Sequence, residues 1–215
     1  MQRSPRAAGT TPGGVQQRFP GFDVLDQVDS WDVVTAGVVL RRLGPPAPIR
    51  FFTPREEAVA RPLLDLLLDQ RDEPKVPLLS MIDARLVEAS TDGWRYEDLP
   101  EDGQAWRDTL RALDEDARQA TGSGFATWGA ETQAAVVQAV QELGDSPWHG
   151  MRADRVWSLW TRYACTAFYS HPWAWNELGF PGPAYPRGYK NATVGGREPF
   201  EVADVAPVDP VRADS

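Results

Sequence analysis

The chain has 215 residues, 42 % of them hydrophobic and 10 % aromatic, enough to build a core in one large domain or two small ones. Its formal net charge of -9 argues against a nucleic-acid binder and against docking on anionic lipid, both of which need basic surface. A single cysteine, Cys165, excludes an internal disulfide framework and a cysteine-rich metal site.

Residues 1–17 are rich in Pro, Gly, Thr and Gln and read as a disordered tail. Arginines occur there, but no apolar segment follows them, so no secretion signal is expected. Arg41-Arg42 is followed by Leu43-Gly44-Pro45-Pro46, which does not suit an export signal either. A cytoplasmic location is expected, with travel on a partner's signal as the alternative. No run of about 18 apolar residues is present, so no membrane span is predicted.

From residue 23 to 43 the spacing of Trp31, Val34 and Val38 suits one face of a helix, although the valines also permit a strand. Thr53-Pro54-Arg55-Glu56 then reads as a helix start. Thr53 caps, Pro54 takes the first helical position and Glu56 closes a capping box. That helix is predicted to reach about Gln70, to bury Val59, Leu63, Leu66 and Leu67, and to kink or restart at Pro62. The acidic stretch 69–73 reads as an exposed connection. Pro74 and Pro77 introduce another helix with Leu78, Ile82 and Leu86 four apart, and Asp92-Gly93 makes a turn.

Trp106, Leu110, Leu113 and Ala117 define an amphipathic helix from Asp102 to Thr121, closed by Gly122. A further helix from Thr132 to Leu143 carries Val136, Val137, Val140 and Leu143. The segment Arg155 to Tyr169 is apolar around most of its circumference, with Val156, Leu159, Trp160, Tyr163, Ala164, Ala167 and Phe168, and is expected at the centre. No convincing period-2 alternation appears. The predicted fold is all-α: a compact bundle of five to six helices, with an irregular aromatic and proline-rich arm from His171 onward. One helical domain over 18–200 is expected, followed by an acidic tail over 201–215.

Candidate reaction centres are scarce. His149 and His171 with one cysteine are a poor supply of metal ligands, and His149 reads as a loop residue. Asp114 and Asp116 read as solvated helix surface rather than an acid–base pair. Cys165 lies in an apolar run and reads as a buried, inert thiol. No nucleophile elbow, phosphate-binding loop or dinucleotide fingerprint occurs, so no catalytic, metal or cofactor-binding residue is assigned. His171 either ends the central helix and bonds a backbone carbonyl, or makes a polar contact in a subunit interface.

The arm is the most informative segment. Between Tyr163 and Tyr189 lie four of the five tyrosines, and three prolines and three glycines fall between Gly179 and Gly188. A segment both irregular and aromatic must lay its rings on its own core or on another protein. Trp173, Trp175, Phe180, Tyr185 and Tyr189, with Arg187, are residue types that anchor interfaces. Asn176 is suited to satisfying backbone groups that have no ladder partner. With His171 they form the candidate partner interface.

The run from Phe168 to Tyr189, together with Phe51-Phe52-Thr53-Pro54, resembles the gluconate 2-dehydrogenase subunit 3 family over roughly Phe22 to Phe200. The resemblance implies a non-catalytic small subunit. It further implies a large partner of the glucose-methanol-choline type that carries FAD and oxidises a sugar, sugar acid or glycoside. The small subunit would bind, stabilise and help mature that partner, and shape its substrate entrance. Two other readings stand beside it: a helical adaptor with a different partner, and a metal-dependent enzyme.

Overall fold

The structure is a computed structural model that describes residues 19, 21–191, 193 and 196–202. Both expected tails lie largely or wholly outside these residues. Among the described residues the chain is all-α, with seven α-helices and one two-stranded hairpin. Internal contacts divide it into two compact units. A terminal unit is formed by Met1–Pro45, Asp72–Val76 and Tyr169–Ser215, and a central unit by Pro46–Arg71 and Pro77–Phe168.

The central unit carries α2 (Pro54–Leu67), α3 (Leu78–Val87), α4 (Asp102–Thr121), α5 (Ala130–Glu142) and most of α6 (Ala153–Tyr169). The start of α2 follows its sequence: Thr53 Oγ1 accepts from the Glu56 N–H, the Glu56 carboxylate accepts from the Thr53 N–H, and Pro54 is the first helical residue. The helix runs through Pro62 as one element and ends at Leu67. Its buried residues are Val59, Ala60, Leu63 and Leu64, while Leu66 and Leu67 are only partly covered. α2 packs on α3, α4 and α5.

α4 has the predicted bounds, buries Trp106, Leu110, Leu113 and Ala117, and stops at Gly122. α6 buries all seven residues expected of it, Val156, Leu159, Trp160, Tyr163, Ala164, Ala167 and Phe168. Trp106 stands edge-on between Phe52 and Tyr163, with ring centroids 6.0 and 5.8 Å away. Trp160 donates its indole N–H to Thr109 Oγ1 at 3.0 Å, which satisfies a polar group that burial would otherwise strand.

Acidic residues hold this unit together from inside. Asp83, fully buried on α3, accepts from the backbone N–H groups of Arg50 (2.8 Å), Phe51 (2.8 Å) and Phe52 (3.0 Å). It thereby fixes the chain entering α2. The expectation that Asp114 and Asp116 are solvated surface is corrected. Asp114 is buried and accepts from Arg55 (2.9 Å), Arg118 (3.1 Å) and the Phe125 N–H (3.1 Å). Burial raises the pKa of its carboxyl, but these donors outweigh that effect and hold it below the ordinary value. Asp116 accepts from the Trp148 indole (2.8 Å) and bonds His149 Nε2 (2.6 Å). His149 is in the predicted loop, the turn of a hairpin pairing Pro147–Trp148 with Met151–Arg152, and adopts φ 47°.

The terminal unit opens with a 3-10 helix, Val24–Ser30, followed by α1 (Val33–Arg41); α7 (Pro172–Leu178) comes near the other end of the chain. The predicted helical face Trp31, Val34, Val38 is corrected. Trp31 is buried, but in extended backbone ahead of the helix, so it shares no helical face with the valines. Asp32 caps α1 through the Thr35 N–H, and Val39 is its buried residue. Val33 is 85 % exposed, Val34 68 % and Val38 41 %. The expected irregular arm is corrected in part too: α7 occupies its first seven positions after His171. His171 caps it and Pro172 fits the first turn, where a missing N–H costs nothing; the other breakers follow Leu178.

A candidate partner-binding surface

The terminal unit's core gathers Val24, Trp31, Val39 and Trp175. Four of the eight candidate interface residues are engaged with this unit itself. The His171 ring caps α7 by accepting the Trp173 N–H at Nδ1 (3.3 Å), while Nε2 lies 2.9 Å from the Arg42 carbonyl. An acceptor at one nitrogen and a donor at the other require the neutral ring with its proton on Nε2. Burial, reinforced by the Arg42 guanidinium and opposed by the Arg42 carbonyl, lowers the ring's pKa to about 4. Trp175 is buried, donates to the Tyr169 carbonyl (2.7 Å) and meets Phe180 edge-on at 5.4 Å. Asn176 Oδ1 accepts the Val24 N–H at 2.8 Å. Arg187 donates to Gln27 Oε1 (2.8 Å), Ser30 Oγ (3.0 Å) and the Pro181 carbonyl (2.8 Å), with its guanidinium 3.7 Å from the Phe200 ring centroid. Gly182 explains why the arm can lie so close: an added β-carbon would stand 2.3 Å from Trp31, and φ is +78°.

The other four are open to different degrees. Trp173 is half-buried against the His171 ring at 4.8 Å. Phe180, Tyr189 and Tyr185 are exposed, Tyr185 by 67 %. The arm therefore has an inner side that closes its own core and an outer side that carries rings into solvent.

The sequence reading missed part of this surface. Val33, Val34, Val38 and Leu40 of α1, with Tyr169 and Leu178, are exposed in the same unit. Among the described residues, nine of the twelve exposed large apolar side chains belong to the terminal unit; Val87, Trp94 and Leu143 are the three outside it. Their signal was the run from Val33 to Leu40, which has no charged residue and so no face that must turn to water.

Among the described residues no group of three or more His, Cys, Asp or Glu is arranged to hold a metal ion, and no helix is long and apolar enough to cross a membrane. Cys165, expected to be buried, is only half-buried; that partial burial still raises the pKa of its thiol, which keeps it protonated.

Fold and surface together define a small, mostly helical protein whose exposed large apolar side chains lie chiefly in its terminal unit. Residues 54–182 match the model of the family described as gluconate 2-dehydrogenase subunit 3, and the chain belongs to that family. The match starts just after Phe51-Phe52-Thr53 and ends inside the arm, so it is narrower than the resemblance over Phe22 to Phe200. It takes in α2 through α7 but not α1, Tyr185, Arg187 or Tyr189. No curated protein matches the chain, and no solved structure does.

Proposed function

We propose that this chain is a non-catalytic small subunit that binds a large dehydrogenase subunit through its terminal unit. The observation that carries the reading is the concentration of exposed apolar side chains there, nine of the twelve among the described residues. Exposed apolar side chains concentrated in one part of a charged protein favour an interaction site there, and tyrosine and tryptophan supply large contact area at small entropic cost. The family's name describes a subunit of a dehydrogenase, which supports a dehydrogenase as the partner.

The partner in this proposal is of the glucose-methanol-choline type, carries FAD, and oxidises a sugar, sugar acid or glycoside. This chain stabilises it by mass action, because a subunit that binds only the folded partner raises its apparent stability. It also helps the partner to mature and shapes its substrate entrance.

Expression of the large subunit with and without this chain tests the proposal. The expected result is a soluble yellow complex in the first case and an aggregated or flavin-poor large subunit in the second. A large subunit that is fully flavinated and active alone overturns the maturation role, and failure to co-purify overturns the binding role.

A further inference from the structure

Alone among the nine tryptophans, Trp94 is exposed; its side chain is 51 % open to solvent. It lies in the central unit, on the connection between α3 and α4. An open indole on a connecting segment would ordinarily be loosely held, but this one is fixed. Asp92 accepts from both Arg85 and Arg162. Gly93 then turns the chain at φ +77°. The Arg162 guanidinium sits 5.1 Å from the Trp94 ring centroid, and Tyr96 meets the ring edge-on at 5.3 Å. Tyr96 is braced in turn by Arg155, 3.8 Å from its own centroid. The platform is set before any ligand arrives, which lowers the entropy lost on binding.

Beside this ring opens a pocket of about 380 Å³, lined by Thr91, Gly93, Trp94, Arg95, Glu101 and Asp102. That volume holds a single six-membered ring with its substituents. Thr91 Oγ1 accepts the Gly93 N–H (3.3 Å), Arg95 donates to the Leu99 carbonyl (3.0 Å) and Glu101 accepts the Gln104 N–H (3.1 Å), and each keeps further hydrogen-bonding capacity for a ligand: the hydroxyl proton, the remaining guanidinium N–H groups and the second carboxylate oxygen. Of the charged residues that line the pocket, Arg95 stands with Glu101 and Asp102, and Asp102 is already bonded to Arg162 (3.2 Å) and Tyr163 (2.6 Å). No net field selects an anion. A cation is disfavoured as well, because Arg162 already occupies the attractive position at the indole. What remains is a neutral ligand with an apolar C–H face for the indole and hydroxyls for the polar rim.

We propose that the pocket beside Trp94 binds a neutral pyranose, its C–H face stacked on the indole and its hydroxyls bonded to Thr91, Arg95 and Glu101. The site lies in a different unit from the proposed docking surface and does not depend on it. Saturation-transfer NMR on the full chain, with methyl β-glucopyranoside, gluconate and choline as separate probes, tests the assignment. Transfer to the glucoside ring protons is expected to exceed that to gluconate or choline. It should fall at least fivefold in Trp94→Ala, about threefold in Thr91→Val, and persist in Trp94→Tyr. Absence of transfer to the glucoside, stronger transfer to gluconate or choline, or an undiminished signal in both Trp94→Ala and Thr91→Val overturns it. Thr91→Val also removes the acceptor of the Gly93 N–H (3.3 Å), so Thr91→Ser, which keeps the hydroxyl, is the control: retained transfer in Thr91→Ser with the loss in Thr91→Val is expected, and equal loss in both overturns the hydroxyl's part in binding.

Discussion

Arg187 donates to Gln27 across 160 residues of sequence, tying the aromatic arm to the 3-10 helix of the terminal unit. With Ser30 and the Pro181 carbonyl as further acceptors, the guanidinium uses its fork of donors to join segments that share no secondary structure. Lysine offers one point of charge in place of that fork and cannot reproduce it.

Arg187→Lys and Arg187→Ala are therefore both expected to loosen the arm, at about 1–3 kcal/mol of stability. Hydrogen exchange should show the loss first in peptides covering 179–191 and the 3-10 helix, with α4 and α6 unchanged. Uniform loss of protection across the chain would show that Arg187 does not act on the arm in particular.

His171 makes the cap of α7 sensitive to acid. Its pKa in the fold is about 4, below the roughly 6.5 of a free imidazole, so between these values the unfolded chain binds more protons than the folded one. The stabilising contribution of the neutral ring is present above about pH 6.5 and is lost as pH falls through 4, amounting to about 2–3 kcal/mol. His171→Asn keeps a capping acceptor that does not titrate. Urea midpoints of the wild type minus those of His171→Asn should fall as pH is lowered from 7 to 4; a flat difference would refute the cap's titration.

Asp83→Ala would leave the Arg50, Phe51 and Phe52 N–H groups without their acceptor. Each buried donor left unpaired costs about 1–3 kcal/mol, so a loss of about 3 kcal/mol or more is expected. Calorimetry should show it as a drop of about 6–12 °C in Tm for a domain of this size. Asp83→Asn retains one acceptor oxygen and should lose less.

Val34 and Tyr185 separate a docking surface from a core. Both are exposed, so Val34→Asp and Tyr185→Asp should change the stability of the isolated chain by no more than about 0.5 kcal/mol. In the proposed complex the same changes bury a charge in an apolar contact, and affinity for the large subunit should fall at least tenfold. Isothermal titration of the two purified subunits reads this directly, and unchanged affinity in both variants would remove these residues from the interface.

The legibility of the chain varied with what each residue's neighbours were. α4 could be read to its exact ends, because Trp106, Leu110, Leu113 and Ala117 repeat at helical spacing and Gly122 stops the run. The capping box at Thr53 could be read because both bonds are made within four residues. The spacing Trp31, Val34, Val38 misled, because a 3–4 spacing does not say where a helix starts: Asp32 caps α1 after Trp31, which leaves the indole outside the helix. Asp114 misled as well: a carboxylate beside Leu113 on a polar helix suggests solvent, whereas Arg55, 59 positions earlier, covers it.

The candidate surface divided along the same line. The sequence marked the arm as unusual by its rings and breakers, and these are properties of residue type and spacing. It could not sort His171, Trp175, Asn176 and Arg187, which bond or pack within the terminal unit, from Phe180, Tyr185 and Tyr189, which are exposed. By itself the sequence determined that the chain is helical, where α4 begins and ends, where α2 begins, and to which family it belongs, since periodicity, caps and residue strings are local. Only the tertiary structure decided which apolar side chains are enclosed and which acids are held, because burial and pairing depend on partners brought from distant positions, and no single stretch of chain contains them.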